Sequence, residues 1–285
     1  MRKIHSVMKA PAGHWVGDGF PVRSLFSPRD SANLSPFLLL DYGAPYAFAP
    51  SIKPRGVGAH PHRGFETVTI VFQGEVAHRD STGQGGVIGA GDVQWMTAAG
   101  GIVHEEFHSP AFAGQGGVFE VAQLWVNLPA KDKMSDPGYQ AIQAADIPCV
   151  ELDGGAGEVR IIAGEFAGRT GPARTFTPIE VWDLRLTGRT ELTLPEGHTL
   201  AAAVLSGEVT ANGATTATTG EIVIFDRTGG KVAFETADQA KLLILAGEPI
   251  DEPVASYGPF VMNTEDELRR AIVDFESGRF GRVAA

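Results

Sequence analysis

A single cysteine in 285 residues leaves no internal disulfide, so the fold must be held by its core alone, as is usual in a reducing compartment. That thiol, Cys149, reads as a buried, inert side chain. No apolar run is long enough to span a bilayer, and the opening MRKIHSVMKAPAGHW has charge without the apolar stretch of a signal peptide. Basic tracts are also missing: 23 Lys and Arg stand against 34 Asp and Glu, a formal charge of −11. Nucleic-acid binding and adsorption to anionic membranes both need clustered Lys and Arg, so neither is expected, whereas a protein partner is compatible with this balance. A globular cytoplasmic protein is the expectation.

What the chain has in quantity is glycine, 36 residues, and proline, 18 residues. Frequent turns of this kind favour many short strands over long helices, and the fold class expected is all-β. The run FETVTIVF (65–72) is rich in β-branched and aromatic residues and stops at Gln73-Gly74. Further strands are expected at 75–79, 92–97, 102–107 and 118–127, spaced as in a sandwich or barrel. Between 129 and 149 the rhythm lapses in a polar, proline-bearing stretch, read as an interdomain connection. Strands resume at 158–163, 178–186, 199–205, 221–225, 231–235 and 241–245.

An internal repeat ties the halves together. Gly74-Glu75-Val76 followed by Gly91-Asp92-Val93 is echoed by Gly207-Glu208-Val209 followed by Gly220-Glu221-Ile222. The chain therefore reads as two copies of one small β-barrel, residues 1–130 and 131–285, the second ending in a helix. Thr264-Glu265-Asp266-Glu267 has the capping-box pattern, and Leu268, Ala271, Ile272 and Phe275 follow at helical spacing.

Candidate chemistry begins at His60 and His62. Residues i and i+2 of a strand look the same way, so two imidazoles share one space, a donor set suited to a divalent transition metal. In Ile102-Val103-His104-Glu105-Glu106, His104 and Glu106 likewise share a face while Glu105 points away. Three neutral nitrogens and one carboxylate suit Fe(II) or Mn(II), and six-coordination would leave two open positions. A structural zinc more often uses cysteines in a closed site. Glu66, four residues after His62, falls on the same face by strict alternation, as a rival carboxylate ligand, an orienting residue or a general base. His78 is open between a hydrogen-bonding role beside the metal and a solvent-facing position.

Four segments, HPHRGFETV (60–68), GDVQWMTA (91–98), GIVHEE (101–106) and QLWVNL (123–128), together with AGEP (246–249) and GPFVMNT (258–264), resemble the pirin family of the cupin superfamily. The resemblance runs through most of the chain. It implies a bicupin, two stacked antiparallel β-barrels of jelly-roll type, with one metal, iron first and Mn, Ni, Co, Cu or Zn as alternatives, in the N-terminal barrel. The metal ligands it implies are His60, His62, His104 and Glu106, the set that strand parity selects; Glu66 is not a direct ligand in that family. Projecting the four through the repeat lands on Thr193, Pro195, Ala233 and Glu235, so the second barrel is expected to be metal-free, with His198 a surface turn residue.

The resemblance further implies similarity to quercetin 2,3-dioxygenases, which open the flavonol heterocycle with O2. Glu106 or Glu66 would then accept the flavonol hydroxyl proton. Two alternatives stand beside it: a metal- or redox-sensing regulator that binds a protein partner, and an oxygenase or isomerase acting on another aromatic or enolic compound.

Overall fold

The computed structural model describes residues 1–30 and 33–284. The chain forms two compact units, one from residues 13–23, 39–144 and 250–285, the other from 1–12, 24–38 and 145–249. The first carries His60, His62 and His104 and is called the histidine-bearing unit.

Its larger sheet has the order β12 (Gly138–Ile142), β9 (Val93–Thr97), β6 (Phe65–Gln73), β11 (Gly117–Asn127), β4 (Phe37–Phe48), β3 (Phe20–Phe26), β2 (His14–Val16). Its smaller sheet has the order β5 (Gly56–His62), β10 (Ile102–His108), β7 (Val76–Asp80), β8 (Gly85–Ile88). β6 is buried along both faces, as its run rich in β-branched and aromatic residues requires, with Glu66 buried among them. Val71 and Phe119 of the larger sheet meet Val76 and Ile88 of the smaller in one apolar cluster.

The other unit repeats the plan. Its larger sheet runs β1 (Ile4–Lys9), β22 (Glu221–Phe225), β19 (Thr199–Ser206), β24 (Ala240–Gly247), β17 (Ile179–Leu186), β14 (Gly157–Ala163), β13 (Cys149–Glu151). The smaller runs β18 (Arg189–Thr193), β23 (Lys231–Glu235), β20 (Glu208–Ala211), β21 (Thr215–Thr218). Short hairpins β15 (Glu165–Phe166)–β16 (Arg169–Thr170) and β25 (Ala255–Tyr257)–β26 (Phe260–Met262) complete the strands described. The repeat glycines end β6 and β19 at φ +85° and +83°, where a side chain would be strained. The place that β12 holds beside β9 is taken, beside β22, by β1.

The architecture is mostly β with jelly-roll topology, as expected, and the described residues include two α-helices, α1 (Pro110–Gln115) and α2 (Glu265–Glu276). No described helix is long and apolar enough to cross a membrane. Several expectations need correction. Each unit is a pair of facing sheets rather than a closed barrel. The units differ from a cut at residue 130, because β1 pairs with β22, and the helix expected to end the second domain falls in the histidine-bearing unit. The stretch 129–149 is no mere connection: it holds β12, which pairs with β9, and the buried Lys133. Cys149 is exposed, on the outermost strand of its sheet. His198 is mostly buried, its Nδ1 3.3 Å from the Glu180 carboxylate.

Thr264 caps α2 as expected, accepting from the Glu267 backbone N–H while the Glu267 carboxylate accepts from the Thr264 N–H. Thr264→Ala is expected to lower unfolding stability by about 1 kcal/mol, read as a lower urea midpoint at unchanged slope.

Candidate metal centre

β5 and β10 run antiparallel in a register that sets His104 opposite His60 and Ile102 opposite His62. This gathers three imidazoles: ring centroids lie 4.3 Å apart for His60–His104 and 4.9 Å for both His60–His62 and His62–His104. His62 and His104 are buried and His60 is half-buried, so the cluster opens on the His60 side. A Gly58 carbonyl lies 2.8 Å from His60 Nδ1, which places the ring proton there and leaves Nε2 with a free lone pair.

His104 is oriented by a chain of polar contacts. The Asp80 carboxylate faces His78 Nε2 at 3.2 Å, so His78 carries its proton on Nε2 and its Nδ1 accepts. Two groups meet that Nδ1: the Gln94 amide nitrogen at 3.1 Å and His104 Nδ1 at 3.3 Å. His104 therefore donates from Nδ1, and its Nε2, buried and without a hydrogen-bond partner, bears a lone pair. His62 is buried as well, and its Nδ1 has no hydrogen-bond partner. An orphaned lone pair such as that of His104 Nε2 is costly in a buried position unless a cation or proton meets it.

A proton is disfavoured. Burial, followed by repulsion from His60, pushes the His62 imidazole down to about 3. Burial and the neighbouring His62, His60 and His78 hold His104 well below the ordinary histidine range. Neutral imidazoles are the ligating form, and a divalent cation fits this donor set.

Glu106 completes the cluster from β10, where it stands opposite His78 of β7. Its ligating oxygen lies within 4.8 Å of ring nitrogens of His78 and His104, and His60, His62 and His104 form a second such trio, so His104 belongs to both. Oε1 of Glu106 accepts from Thr69 Oγ1 (3.1 Å) and Gln94 Nε2 (3.2 Å), and Oε2 from Gln123 Nε2 (2.9 Å). These neutral donors fix the carboxylate while leaving lone pairs for a metal. For Asp80, burial alone would raise the carboxyl; bonds from His78 and Thr82 outweigh it and hold the group below its ordinary value.

All four expected ligands thus lie on one face, and Glu105 lies on the other, paired with Arg79 (2.8 Å). Glu66 does not join them. The chain turns at Arg63-Gly64 and enters the other sheet, so alternation counted from His62 fails across the turn. Thr69 and Gln94 are cross-strand partners that both bond Glu106, whereas Glu66 pairs with Thr97, three residues from each, and accepts its hydroxyl at 2.7 Å. An odd offset along a strand reverses the face: Glu66 looks out of the opposite side of the sheet. Burial pushes its carboxyl up to about 7, partly opposed by the Thr97 bond. His78 is fully buried, which removes its solvent-facing reading. The members that sequence reasoning missed are Thr69, Gln94 and Gln123; the signal was a polar residue recurring at one parity within otherwise apolar strands.

Comparison with known proteins decides the family. Residues 19–126 match the pirin family and residues 181–281 the pirin C-terminal cupin domain. The chain belongs to the pirin family. This pirin is 53% identical to a Pseudomonas aeruginosa protein named as a candidate quercetin 2,3-dioxygenase, over 99% of this chain and 100% of that one. It is 40% identical to a pirin-like protein of Solanum lycopersicum, covering 93% and 88% of the two chains. Among solved structures, a quercetin 2,3-dioxygenase from Acinetobacter baumannii superposes over both whole chains with TM-score 0.97 at 51% identity. A bacterial pirin from Escherichia coli, solved with nickel(II), shares the fold at TM-score 0.63 and 20% identity, over 86% and 99% of the chains.

The depressed His62 gives a signed prediction. Below an unfolded value near 6.5 the unfolded pirin takes up a proton that the folded chain refuses until about 3. The His62 contribution to stability should therefore fall by about 2 kcal/mol between pH 7 and 5 in metal-free protein. It is read as the difference between parent and His62→Gln in urea midpoints against pH, because His104 and the raised Glu66 carboxyl titrate alike in both.

Proposed function

We propose that this pirin is a metal-dependent dioxygenase that opens the heterocycle of quercetin-like flavonols with O2. The observation that carries the reading is the set of buried, neutral imidazoles with unpartnered nitrogens beside a carboxylate held by neutral donors. His60, His62, His104 and Glu106 are the proposed ligands, with Fe(II) the first choice among divalent metals. When bound, the metal would supply a Lewis acid and a redox centre at which an enolate and O2 can meet.

The chain's own residues account for substrate handling. A flavonol would enter on the half-buried His60 side. Trp125, 5.4 Å from His62 and packed at 4.3 Å on Phe65, offers a flat apolar wall and an indole N–H that is buried without a partner. That N–H suits a substrate oxygen, since an unpaired buried donor gains most from a ligand acceptor. Glu106 would accept the 3-hydroxyl proton, with its Oε2 held by Gln123. Glu66 has no part in this proton transfer, because its carboxylate lies on the other face of the sheet.

Candidate quercetin dioxygenases among the relatives, and a solved quercetin 2,3-dioxygenase at 51% identity, support the substrate class. The test is oxygen uptake and loss of quercetin absorbance with Fe(II)-loaded protein. His62→Ala and Glu106→Ala should each lower turnover by on the order of 100-fold or more, beyond the usual cost of losing an outer partner. Glu66→Gln should stay within the same order of magnitude as the parent. Turnover that survives both ligand substitutions would refute the site. No turnover on any flavonol, with metal bound, would refute the substrate class.

A further inference from the structure

Each segment that builds the histidine cluster is held, one residue away, by the far end of the chain. Arg63 follows His62 directly. Its Nε donates to the Gly100 carbonyl (2.8 Å), its Nη1 donates to Asp274 Oδ2 of α2 (2.9 Å), and its guanidinium sits 4.5 Å above the Phe280 ring. Its backbone pairs with the segment before and within β26: Arg63 N–H donates to Pro259 O (3.3 Å) and Val261 N–H to Arg63 O (3.0 Å). Val103 precedes His104 directly and packs in one apolar cluster with Phe260, Met262, Leu268 and Phe280. Ser81 follows Asp80 directly; its hydroxyl donates to Phe280 O (2.6 Å) and accepts from Val103 N–H (3.1 Å).

Two glycines make this approach feasible. A Cβ on Gly64 would stand 1.9 Å from Val261 O, and one on Gly101 would stand 2.5 Å from the Phe280 ring. Both positions also have positive φ, +89° and +129°. Lys133, buried, closes the arrangement by donating to Gly64 O (2.7 Å) and Val261 O (3.0 Å).

We infer that residues 259–281 act as a clasp that holds β5, β10 and β7 in metal-binding register, with Arg63, Asp274 and Phe280 as positioning residues that touch no ligand atom. This rests on the proposed metal binding. The physical argument is one of tolerance: three ring nitrogens must converge to within tenths of an ångström, and β5 is an outermost strand, paired on one side by β10. Such a strand drifts unless its free end is tethered, and the tether here is Arg63.

The test is the rate at which Co(II)-loaded protein loses metal to excess EDTA, followed by the cobalt d–d absorbance. Arg63→Met keeps the stem over Phe280 and removes the polar bonds; Asp274→Asn keeps the shape and removes the charge. Each should speed cobalt loss about tenfold, and the double variant should be little faster than Arg63→Met alone. Arg79→Met, which breaks the ion pair with Glu105 on the outer face of the same sheet, should leave the rate unchanged. Rates within twofold of the parent in both clasp variants, or equal acceleration by Arg79→Met, would overturn the clasp. If Arg63→Met fails to fold, Asp274→Asn against Arg79→Met decides. Parent protein that takes up no Co(II) would instead overturn the metal reading beneath it.

Discussion

The structure turns on the convergence of three imidazoles at a site where two of them, His62 and His104, are buried. Burial makes protonation of His62 and His104 unfavourable, and one buried ring nitrogen of each, His62 Nδ1 and His104 Nε2, has no hydrogen-bond partner. Each nitrogen thus carries an unmet electrostatic demand in a low-dielectric setting, where such demands are strongest. Much of the surrounding structure serves to keep that demand in place. The β5–β10 register brings His60 opposite His104, the His78–Asp80 contact selects the His104 tautomer, and Thr69, Gln94 and Gln123 fix the carboxylate that completes the set.

Gln94 is the hinge of this polar network. Its amide oxygen faces the Tyr139 hydroxyl at 3.4 Å, so its nitrogen is turned toward both His78 and Glu106. One side chain of the larger sheet thereby sets the hydrogen-bonding state of two residues on the smaller. In the other unit the corresponding region is apolar: Leu192, Val209, Ala211, Val232 and Phe234 join Trp182 in a single core. Thr193 and Glu235, at positions that project from His60 and Glu106, are exposed. The same topology is stabilised in one unit by side-chain packing and in the other carries a polar centre.

How much of this could be read beforehand follows from the range of each signal. Strand alternation is local, so it paired His60 with His62 and His104 with Glu106 and excluded Glu105. It failed for Glu66, because a two-residue turn at Arg63-Gly64 moves the chain into a different sheet and resets the parity. The repeat glycines marked the shared plan because positive φ at a turn demands them. The strands before residue 60 went unread: β1 alternates half-buried and exposed residues with a lysine and a histidine, and β4 breaks its apolar run with Asp41 and a Gly-Ala-Pro segment. β1 finds its partner β22 more than two hundred residues on, and α2 is tied to Arg63 across 211 residues, beyond any local pattern, and for that reason a cut near residue 130 looked natural.

The exchange of chain ends has a consequence for synthesis. The unit that holds the histidines includes residues 250–285, so its histidine-bearing strands can leave the ribosome long before the segment that packs beside them exists. During that interval β5, β10 and β7 would be present without Pro259, Asp274 or Phe280. A nascent chain that met metal early would meet a looser set of imidazoles than the finished protein offers. Tight metal capture would then fall late in the birth of the molecule, after the other unit has been translated.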